Sequence, residues 1–500
     1  MAYSFPDPTA LMDLGAELGM QLSEGEAGEY HAYLSQLIPA MRQLEMLPDA
    51  PTPVRYPRTP GFRPEGIDNP YNAWYYKSTI VGADSGKLRD KTIAVKDSIC
   101  VAGVPMANGA SIIEGYVPEH DATVVTWVLD AGGVILGKAA CEYLCSAGNS
   151  ATCSTGPVEN PRVPGHTTGG SSNGCAALVA SGDVDLAIGA DQAGSVRIPA
   201  AFCGIVGLKP TYGLIPYTGA ASIEYTIDHL GPMARSVRDC ALMLEVLAGA
   251  DHIDGRQQRH KTQSYTAALE HGVQGLRIGV VREGFKRPDS EDGVDEIVCR
   301  AIDQLKDKGA IVEPVSIPWH SYGASIWLPI GTEGPFMNMV YGPGVGYGTN
   351  GAYLLSYMKA LEGWQGHANE LPPTIKALLL SGQVMAKHGG RLYAKAQNLR
   401  RRLRQEYDIA LAKCDVLVMP TTPMTAPKIT PGDASVIDIL TRSWEMLGNT
   451  CPFDLTGHPA ISVNCGELDR RPVGFMVVGR HYDESLVLRV ANSVHQQLPG

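Results

Sequence analysis

Apolar residues recur at helical spacing along the first stretch of the chain, with polar positions between them. Leu14 and Leu18 belong to one such series, and a second series is centred on Leu34. The polar tetrapeptide SEGE at 23–26 separates the two and has the composition of a helix cap. The pattern therefore predicts an N-terminal pair or trio of helices. The Pro-, Arg- and Gly-rich residues 48–70 predict an extended strap after them.

Farther along, short apolar runs of strand length alternate with segments of helical periodicity. The runs 92–95, 133–137 and 184–190 alternate with the predicted helices 122–131 and 172–181. Such alternation is typical of an α/β sheet with helices packed on its faces. Further strands are predicted at 276–281, 310–315, 415–419, 460–463 and 473–478, the last two as a hairpin, and further helices at 295–308 and 390–412.

One region interrupts this alternation. Residues 318–382 are rich in Gly, Tyr, Met and Trp, and they show little strand pattern. Binding residues are often carried by loops on a rigid scaffold, and ligand pockets are mostly apolar and aromatic. We expect this region to form the wall or lid of a substrate pocket. A surface insertion with no role in binding is the alternative.

The composition limits the possible binding partners of the protein and its cellular compartment. The net charge is -11 and the pI is about 5.6, and no basic stripe offsets this acidity. Nucleic acid and acidic membrane surfaces are therefore not expected as main partners. The sequence shows neither a signal peptide nor an apolar run long enough to span a membrane. The 11 cysteines include no C-x-x-C pair, so we expect reduced, buried thiols, no metal site and a cytoplasmic protein.

Two serines lie at glycine-containing turns, where an exposed hydroxyl is well placed to act as a nucleophile. Ser171 belongs to the segment GGSS at 169–172, and Ser195 follows the predicted strand 184–190. A serine hydroxyl is a weak nucleophile until a base removes its proton. Either serine therefore needs a basic partner elsewhere in the chain.

Two kinds of base are open to these serines. A distant histidine, such as His229 or His458, can complete a Ser-His-Asp arrangement, because the members of a triad need to meet only in space. A lysine can do the same work when burial disfavours its charged form. Lys96 comes at the carboxyl end of a predicted buried strand, the edge at which open α/β sheets bind their ligands. The alternative for Lys96 is a strand-end side chain whose ammonium reaches solvent.

Four motifs in this region carry a family resemblance. They read GGSS at 169–172, DQAGS at 191–195, RIPA at 197–200 and GLKPT at 207–211. Together with the separation of 24 residues between Ser171 and Ser195, they resemble the signature of the amidase signature enzymes. The resemblance extends over residues 70–490, and within the family the sequence most resembles the bacterial aliphatic and aryl amidases.

The resemblance implies an α/β fold of the amidase signature type. Its mixed central sheet is flanked by helices on both faces. The chain would then consist of an N-terminal helical segment and strap, residues 1–70, and an amidase signature domain, residues 71–500. Residues 318–382 would be an insertion at the substrate pocket of that domain.

The resemblance also implies a Ser-cisSer-Lys triad. Ser195 is the nucleophile, Ser171 follows a cis peptide bond and relays the proton, and Lys96 is the base. The oxyanion hole consists of backbone N–H groups of Gln192, Ala193, Gly194 and Ser195. Substrate contacts are implied for Gly169, Gly170 and Gln192. No metal and no other cofactor is implied.

Two positions beside the nucleophile depart from the family pattern. Ala193 replaces a glycine and adds a methyl group, so we expect the oxyanion hole to survive if its φ is negative. Gln192 replaces a small hydroxyl residue, and its amide can hydrogen-bond the substrate or brace the loop. We expect Asp191 and Arg197 to order this loop by an ion pair or backbone hydrogen bonds rather than by touching substrate. Ser172 is expected to cap the following helix and to brace the lysine.

The function implied is hydrolysis of carboxamides by acyl transfer, with water and a small-molecule amide as partners. The aromatic character of residues 318–382 favours aliphatic, aryl or anilide amides, and carbamates or esters fit the same triad. The alternative is a glutamine-hydrolysing amidotransferase subunit for tRNA-dependent glutamine synthesis, which the Ala193 turn and the N-terminal helices disfavour. The apolar stripe of those helices predicts a homodimer.

Overall fold

The computed structural model describes residues 4–49, 53–258, 261–342 and 351–495. The chain forms two compact units, residues 1–52 and 53–500. Residues 53–70 of the predicted strap therefore belong to the larger unit. Among the described helices, none combines the length and the apolar character needed to cross a membrane.

The first unit is helical, as the periodicity predicts. Its described residues form α1 (Pro8–Glu17), α2 (Glu24–Ser35) and α3 (Ile38–Met46). The polar break is a capping box, in which Glu26 N donates to Ser23 Oγ at 3.3 Å and Ser23 N donates to Glu26 Oε2 at 2.9 Å. Leu18, Leu44 and Met46 are exposed, so apolar side chains remain on the surface of this unit.

The second unit is built on one mixed sheet. Its described strands are β1 (Trp74–Val81), β2 (Thr92–Lys96), β3 (Val134–Ala139), β4 (Leu186–Asp191), β5 (Val206–Lys209), β6 (His229–Ala234), β7 (Arg277–Val281), β8 (Ile311–Val315), β9 (Val416–Pro420), β10 (Ala460–Leu468) and β11 (Arg471–Val478). Their order across the sheet is β1-β3-β2-β4-β6-β5-β10-β11-β9-β7-β8. β2 is parallel to β3 and β4, β7 is parallel to β8 and β9, and the other neighbours are antiparallel. The predicted mixed sheet is confirmed.

Helices cover both faces of this sheet. The described ones are α4 (Thr123–Asp130), α5 (Asn173–Ser181), α6 (Arg197–Cys203), α7 (Val237–Leu247), α8 (Tyr265–Ala268), α9 (Val294–Asp307), α10 (Gly323–Pro335), α11 (Leu355–Ala360), α12 (Pro373–Ala386), α13 (Arg391–Leu411), α14 (Val436–Trp444), α15 (Cys451–Thr456) and α16 (Glu484–Val494). Alternate residues of a strand point to opposite sides. In β2, Ile93 and Val95 share a core cluster with Val125 of α4, whereas Ala94 shares another with Leu178 of α5.

Three strands, β1, β5 and β6, are not predicted by the sequence pattern. β1 is interrupted by two register shifts against β3, which obscure its alternation. β5 has only 4 residues. β6 contains Gly231 and Pro232, residues that weaken a strand signal. A Cβ at Gly231 would lie 2.1 Å from Leu208 O, so the close approach of β5 requires glycine there.

Candidate active site

Lys96 is the last residue of β2, and its side chain is completely buried. Its Nζ donates to Ser171 Oγ at 2.8 Å and to Ala190 O at 3.4 Å. Among the described residues, no carboxylate forms an ion pair with this amine. The alternative of a strand-end lysine reaching solvent is therefore wrong, because the sheet edge holds the amine against a serine hydroxyl.

Ser171 and Ser172 lie between β3 and α5, and both are completely buried. The peptide bond between Gly170 and Ser171 is cis, as the resemblance implies. Ser172 Oγ donates to Ala190 O at 3.1 Å and accepts from Ala190 N at 3.2 Å. The expectation that Ser172 caps α5 is wrong, because Ala190 engages the hydroxyl and the helix receives no bond from it. Ser172 braces the lysine only indirectly, through the Ala190 carbonyl that both groups share.

Ser195 lies in the turn between β4 and α6. Ser172 N donates to Ser195 O at 3.2 Å, which holds the two serine-bearing segments side by side. The Ser195 hydroxyl makes no hydrogen bond to any residue of the described ranges. The structure thus joins Lys96 to Ser171 and leaves the Ser195 hydroxyl without a bond in the described ranges, and Ser195 lines a cavity that Gln192 also lines.

The turn between β4 and Ser195 presents unused backbone donors. The N–H groups of Gln192, Ala193 and Ser195 donate to no described residue. Ala193 does not have a positive φ, so its methyl group is compatible with the turn. Gly194 differs from the expectation, because its N–H donates to Asp191 Oδ1 at 2.6 Å. The φ of Gly194 is 135°, and a Cβ there would lie 2.4 Å from a neighbouring hydroxyl oxygen, so the position requires glycine.

A buried ion network holds this turn in place. Arg197 donates from Nε and Nη2 to the two oxygens of Asp191, each at 3.0 Å, and from Nη2 to Asp454 Oδ2 at 2.7 Å. Burial acts to raise the pKa of Asp191, but the guanidinium holds that pKa well below its usual range. Burial is the main cause that raises the pKa of Asp454, and repulsion from the Asp191 carboxylate raises it further. The expected ion pair between Asp191 and Arg197 is present, and Asp191 also accepts from the backbone N–H groups of Gly194 and Val196.

Ser195 lines an apolar cavity of about 30 Å³. Its described lining carries no charged side chain and includes Ile223, Trp327, Leu378 and Trp444. Trp327, Leu378 and Trp444 also line an outer cavity of about 540 Å³. The described lining of the inner cavity includes neither Gly169 nor Gly170, the two glycines for which the resemblance implies substrate contacts.

The predicted insertion contributes part of this wall. Trp327 and Leu378, together with Gly331 and Pro335, lie within residues 318–382 and line the inner cavity. Residues 343–350 of the same segment fall outside the described ranges. The insertion is largely helical where it is described, since α10, α11 and part of α12 lie in it.

Gln192 connects the turn to the cavity wall. Its side-chain Nε2 donates to Tyr217 Oη at 3.0 Å, and its backbone carbonyl oxygen accepts from Trp327 Nε1 at 2.9 Å. Its Oε1 is buried without a hydrogen-bond partner among the described residues. A buried acceptor without a partner is costly unless a ligand or a water satisfies it. The sequence singles out neither Tyr217 nor Trp444, and no periodicity or motif marks them.

The two histidines proposed as alternative bases lie elsewhere. His229 Nδ1 is 2.8 Å from Ile227 O, and His458 is bonded to Thr456 Oγ1 and Asp408. Neither histidine forms a hydrogen bond with Ser195 in the described part of the chain. The geometry therefore favours the lysine over a histidine.

The family model named Amidase matches residues 73–488. The chain belongs to the amidase family. An enantioselective amidase of Rhodococcus rhodochrous is 46% identical over 443 residues, which cover 86% of this chain and 84% of the relative. The resemblance drawn from the four motifs is confirmed, and the protein is a hydrolase of amide bonds.

Two further relatives show the breadth of this amidase family. A Glutamyl-tRNA(Gln) amidotransferase subunit of Haloarcula marismortui is 39% identical over 435 residues, covering 85% of this chain and 99% of the relative. The solved structure of native peptide amidase from Stenotrophomonas maltophilia aligns with a TM-score of 0.68 and 29% identity, covering 82% of each chain. The chain is thus similar over most of its length to relatives that are named for different activities.

Proposed function

We propose that this amidase hydrolyses carboxamides through an acyl-enzyme on Ser195, with Ser171 as the proton relay and Lys96 as the base. The observation that carries the proposal is the hydrogen bond of 2.8 Å from Lys96 Nζ to Ser171 Oγ, beside a turn with unused N–H donors. The amide and water are the reactants, the products are a carboxylic acid and ammonia or an amine, and the reaction needs no cofactor.

The first step removes the proton of the nucleophile. Lys96, as a neutral amine, accepts a proton from Ser171, which takes one from Ser195 in turn. Ser195 Oγ then attacks the amide carbonyl carbon. The Lys96–Ser171 hydrogen bond supports the first half of this relay. The second half closes when the unattached Ser195 hydroxyl turns towards Ser171 as substrate binds, since catalytic hydrogen bonds tighten in the substrate complex.

The tetrahedral intermediate carries negative charge on the former carbonyl oxygen. We assign the N–H groups of Gln192, Ala193 and Ser195 as its donors, because they have no described partner. Gly194, which the resemblance includes among the donors, acts here through the conformation of the turn, since its N–H is bonded to Asp191. Removing one donor of this kind typically raises the barrier by about 2.7–4 kcal/mol.

Breakdown of the intermediate requires a proton on the departing nitrogen, because an amide anion is a very poor leaving group. Ser171 supplies that proton and is reprotonated by the Lys96 ammonium. The amine leaves and the acyl group stays on Ser195 Oγ. Water then attacks the ester, and the same relay runs in reverse to release the acid.

The side chains of the cavity wall favour apolar substrates. Trp327, Trp444 and Leu378 surround the space next to Ser195, and burying apolar groups there is favourable. Oε1 of Gln192, which has no hydrogen-bond partner among the described residues, can accept from the N–H of an amide. Aliphatic, aryl and anilide amides match this lining, with most of such a substrate in the cavity of about 540 Å³ that shares these side chains. Contacts of substrate with Gly169 and Gly170 stay a prediction.

The alternative is a glutamine-hydrolysing amidotransferase subunit, and the relative from Haloarcula marismortui favours it. Free glutamine carries an ammonium and a carboxylate, which need charged or strongly polar partners when they are buried. The described lining of the inner cavity at Ser195 contains no charged side chain, and charged residues, Arg287, Asp289 and Glu445, line only the outer cavity. We therefore prefer hydrolysis of apolar amides.

We extend the proposal to the oligomeric state of the protein and to its cellular compartment. The exposed Leu18, Leu44 and Met46 of the N-terminal helices support a homodimer, because such side chains gain from being covered. Free cysteines, ten of them buried, support a reducing compartment such as the cytoplasm. Light scattering of the full chain over a range of concentrations tests the dimer, and a mass of one chain at high concentration contradicts it.

Mass spectrometry of protein quenched during turnover tests the acyl-enzyme. With an aryl amide or its activated ester, we expect one acyl group on the peptide that contains Ser195, and none in Ser195→Ala. An adduct on another residue contradicts the assignment. A panel of acetamide, benzamide, an acyl anilide, a carbamate and glutamine separates the two functions, because preferential hydrolysis of glutamine supports the amidotransferase.

A further inference from the structure

Three side chains from distant parts of the chain converge beside a second cleft. Asp408 belongs to α13, His458 lies between α15 and β10, and His481 lies between β11 and α16. One ligand atom from each lies within 4.8 Å of the others. His458 Nε2 is 3.0 Å and His481 Nδ1 is 4.0 Å from the same oxygen, Asp408 Oδ1. The imidazole rings are 4.1 Å apart, centroid to centroid.

The outer hydrogen bonds of the histidines determine which nitrogens carry lone pairs. His481 Nε2 is 3.0 Å from Thr456 O, and a carbonyl oxygen can only accept, so Nε2 carries the proton. In the neutral ring, Nδ1 then directs its lone pair towards the Asp408 carboxylate. Two electron-rich atoms thus face each other, with no proton in the neutral pair to join them.

His458 fits the same arrangement. Thr456 Oγ1 donates to Pro452 O at 3.0 Å, so it accepts from His458 Nδ1 at 3.0 Å. The neutral imidazole then presents the lone pair of Nε2 to Asp408 Oδ1. A His458–Asp408 hydrogen bond with the other tautomer explains this pair alone, and it gives the lone pair of His481 Nδ1 no partner among the described residues.

We propose that Asp408, His458 and His481 bind one divalent transition-metal ion of the Zn²⁺ or Co²⁺ class. Two imidazoles and a carboxylate suit these ions, and metal-bound histidines donate their other N–H to a carbonyl or similar group. Tetrahedral coordination with bonds of about 2.0–2.1 Å places neighbouring ligand atoms about 3.3 Å apart. The two distances to Asp408 Oδ1, 3.0 and 4.0 Å, and the separation of the ligand atoms, at most 4.8 Å, reach that value when the side chains shift.

The surroundings of this His-Asp cluster are compatible with an ion. His458 is completely buried and His481 is largely buried, whereas the Asp408 side chain is half exposed. Arg404 Nε approaches the other carboxylate oxygen, Asp408 Oδ2, at 3.8 Å and leaves Oδ1 to the ion. His481 also lines a cleft of about 800 Å³, which gives the ion a path from solvent and a place for a fourth ligand. Arg256, Arg400, Arg401 and Arg404 line the same cleft, so their charges oppose a bare cation and favour a fourth ligand that is an anion.

Metal counting on the full-length protein tests the proposal. Protein freed of metal with a chelator is incubated with Zn²⁺, passed through gel filtration and analysed for retained metal. We expect one Zn²⁺ per chain in the wild type and its loss in Asp408→Asn and His481→Gln. Co²⁺ is expected to give the visible absorption of a tetrahedral site in the wild type and to lose it in both variants.

A matched control removes another imidazole next to a carboxylate. His367 Nδ1 lies 2.9 Å from Glu370 Oε1 on the surface, without a second imidazole, so His367→Gln is expected to retain the wild-type zinc content. Circular dichroism confirms that each variant is folded, and the two cluster variants provide independent readings. Absence of retained Zn²⁺ in the wild type, or equal retention in Asp408→Asn and His481→Gln, overturns the proposal and leaves an ordinary His458–Asp408 hydrogen bond.

Discussion

Two lysines at the carboxyl ends of neighbouring strands, Lys96 of β2 and Lys138 of β3, are both completely buried. Lys138 forms an ion pair with Asp97 at 3.2 Å, whereas Lys96 meets a serine hydroxyl and a backbone carbonyl. A lysine in an ion pair has to stay protonated, whereas a lysine that acts as a base has to lose and regain its proton. The partner of each lysine, rather than its burial, therefore separates a structural cation from the proposed catalytic base.

The largest expected effect comes from Lys96→Met. The substitution removes the proposed base, so we expect kcat to fall by roughly 10³–10⁴-fold, within the range for general-base catalysis. The unfolding temperature should change little, because an unbranched apolar chain of similar length fills the same space. Steady-state kinetics and thermal unfolding measure both effects. A wild-type rate would favour a histidine base and would remove the distinction between the two lysines.

Lys138→Met is expected to act on stability instead. It leaves the Asp97 carboxyl buried without its cation, and breaking a buried pair in this way costs about 3–5 kcal/mol. Urea unfolding measures the loss, and the rate per folded molecule should fall far less than in Lys96→Met. The double variant Asp97→Asn/Lys138→Met removes both charges and should recover part of the stability. Unchanged stability in the single variant would show that the pair is not structural.

Glu142 extends the comparison to a buried carboxyl without a lysine partner. Burial raises the pKa of Glu142 to about 7, although hydrogen bonds from Thr152 oppose this. The folded state holds the Glu142 proton more tightly than the unfolded chain does, so protonation stabilises the fold. This stabilisation is complete below pH 4.5, the ordinary pKa of a glutamate, and is lost as the pH rises through 7. We expect a loss of about 3 kcal/mol across this range.

Urea unfolding of wild type and Glu142→Gln between pH 4 and 8 isolates this contribution, since the amide does not titrate. The difference in free energy of unfolding between the two proteins should change steadily in favour of the variant as pH rises. A difference that is independent of pH would show that Glu142 keeps an ordinary pKa.

Trp327→Phe carries the smallest expected effect. It removes the indole N–H that donates to the Gln192 carbonyl at 2.9 Å and keeps an aromatic ring in the cavity wall. The loss of one hydrogen bond of about 1 kcal/mol predicts a fall of roughly fivefold in kcat/KM. Trp444→Phe, which leaves that bond in place, is the control. Equal effects in the two variants would assign the loss to ring volume and not to the Gln192 turn.

The chain's own sequence determined most of the regular structure and the chemical identity of the site. The two periodicities, 3.6 and 2, depend on neighbouring residues and so are readable along the chain. They locate α9, α13 and the β10–β11 hairpin within a few residues. The serine motifs locate Ser171 and Ser195 because the proposed chemistry requires those residue types at tight turns.

Only the tertiary structure decided how those groups are used. The bond from Gly194 N to Asp191, the unpartnered Oε1 of Gln192 and the position of Trp444 depend on contacts between residues far apart in the chain. The same is true of the different partners of Lys96 and Lys138. Such contacts are set by the packing of a sheet whose strand order differs from the sequence order, and no local pattern encodes them.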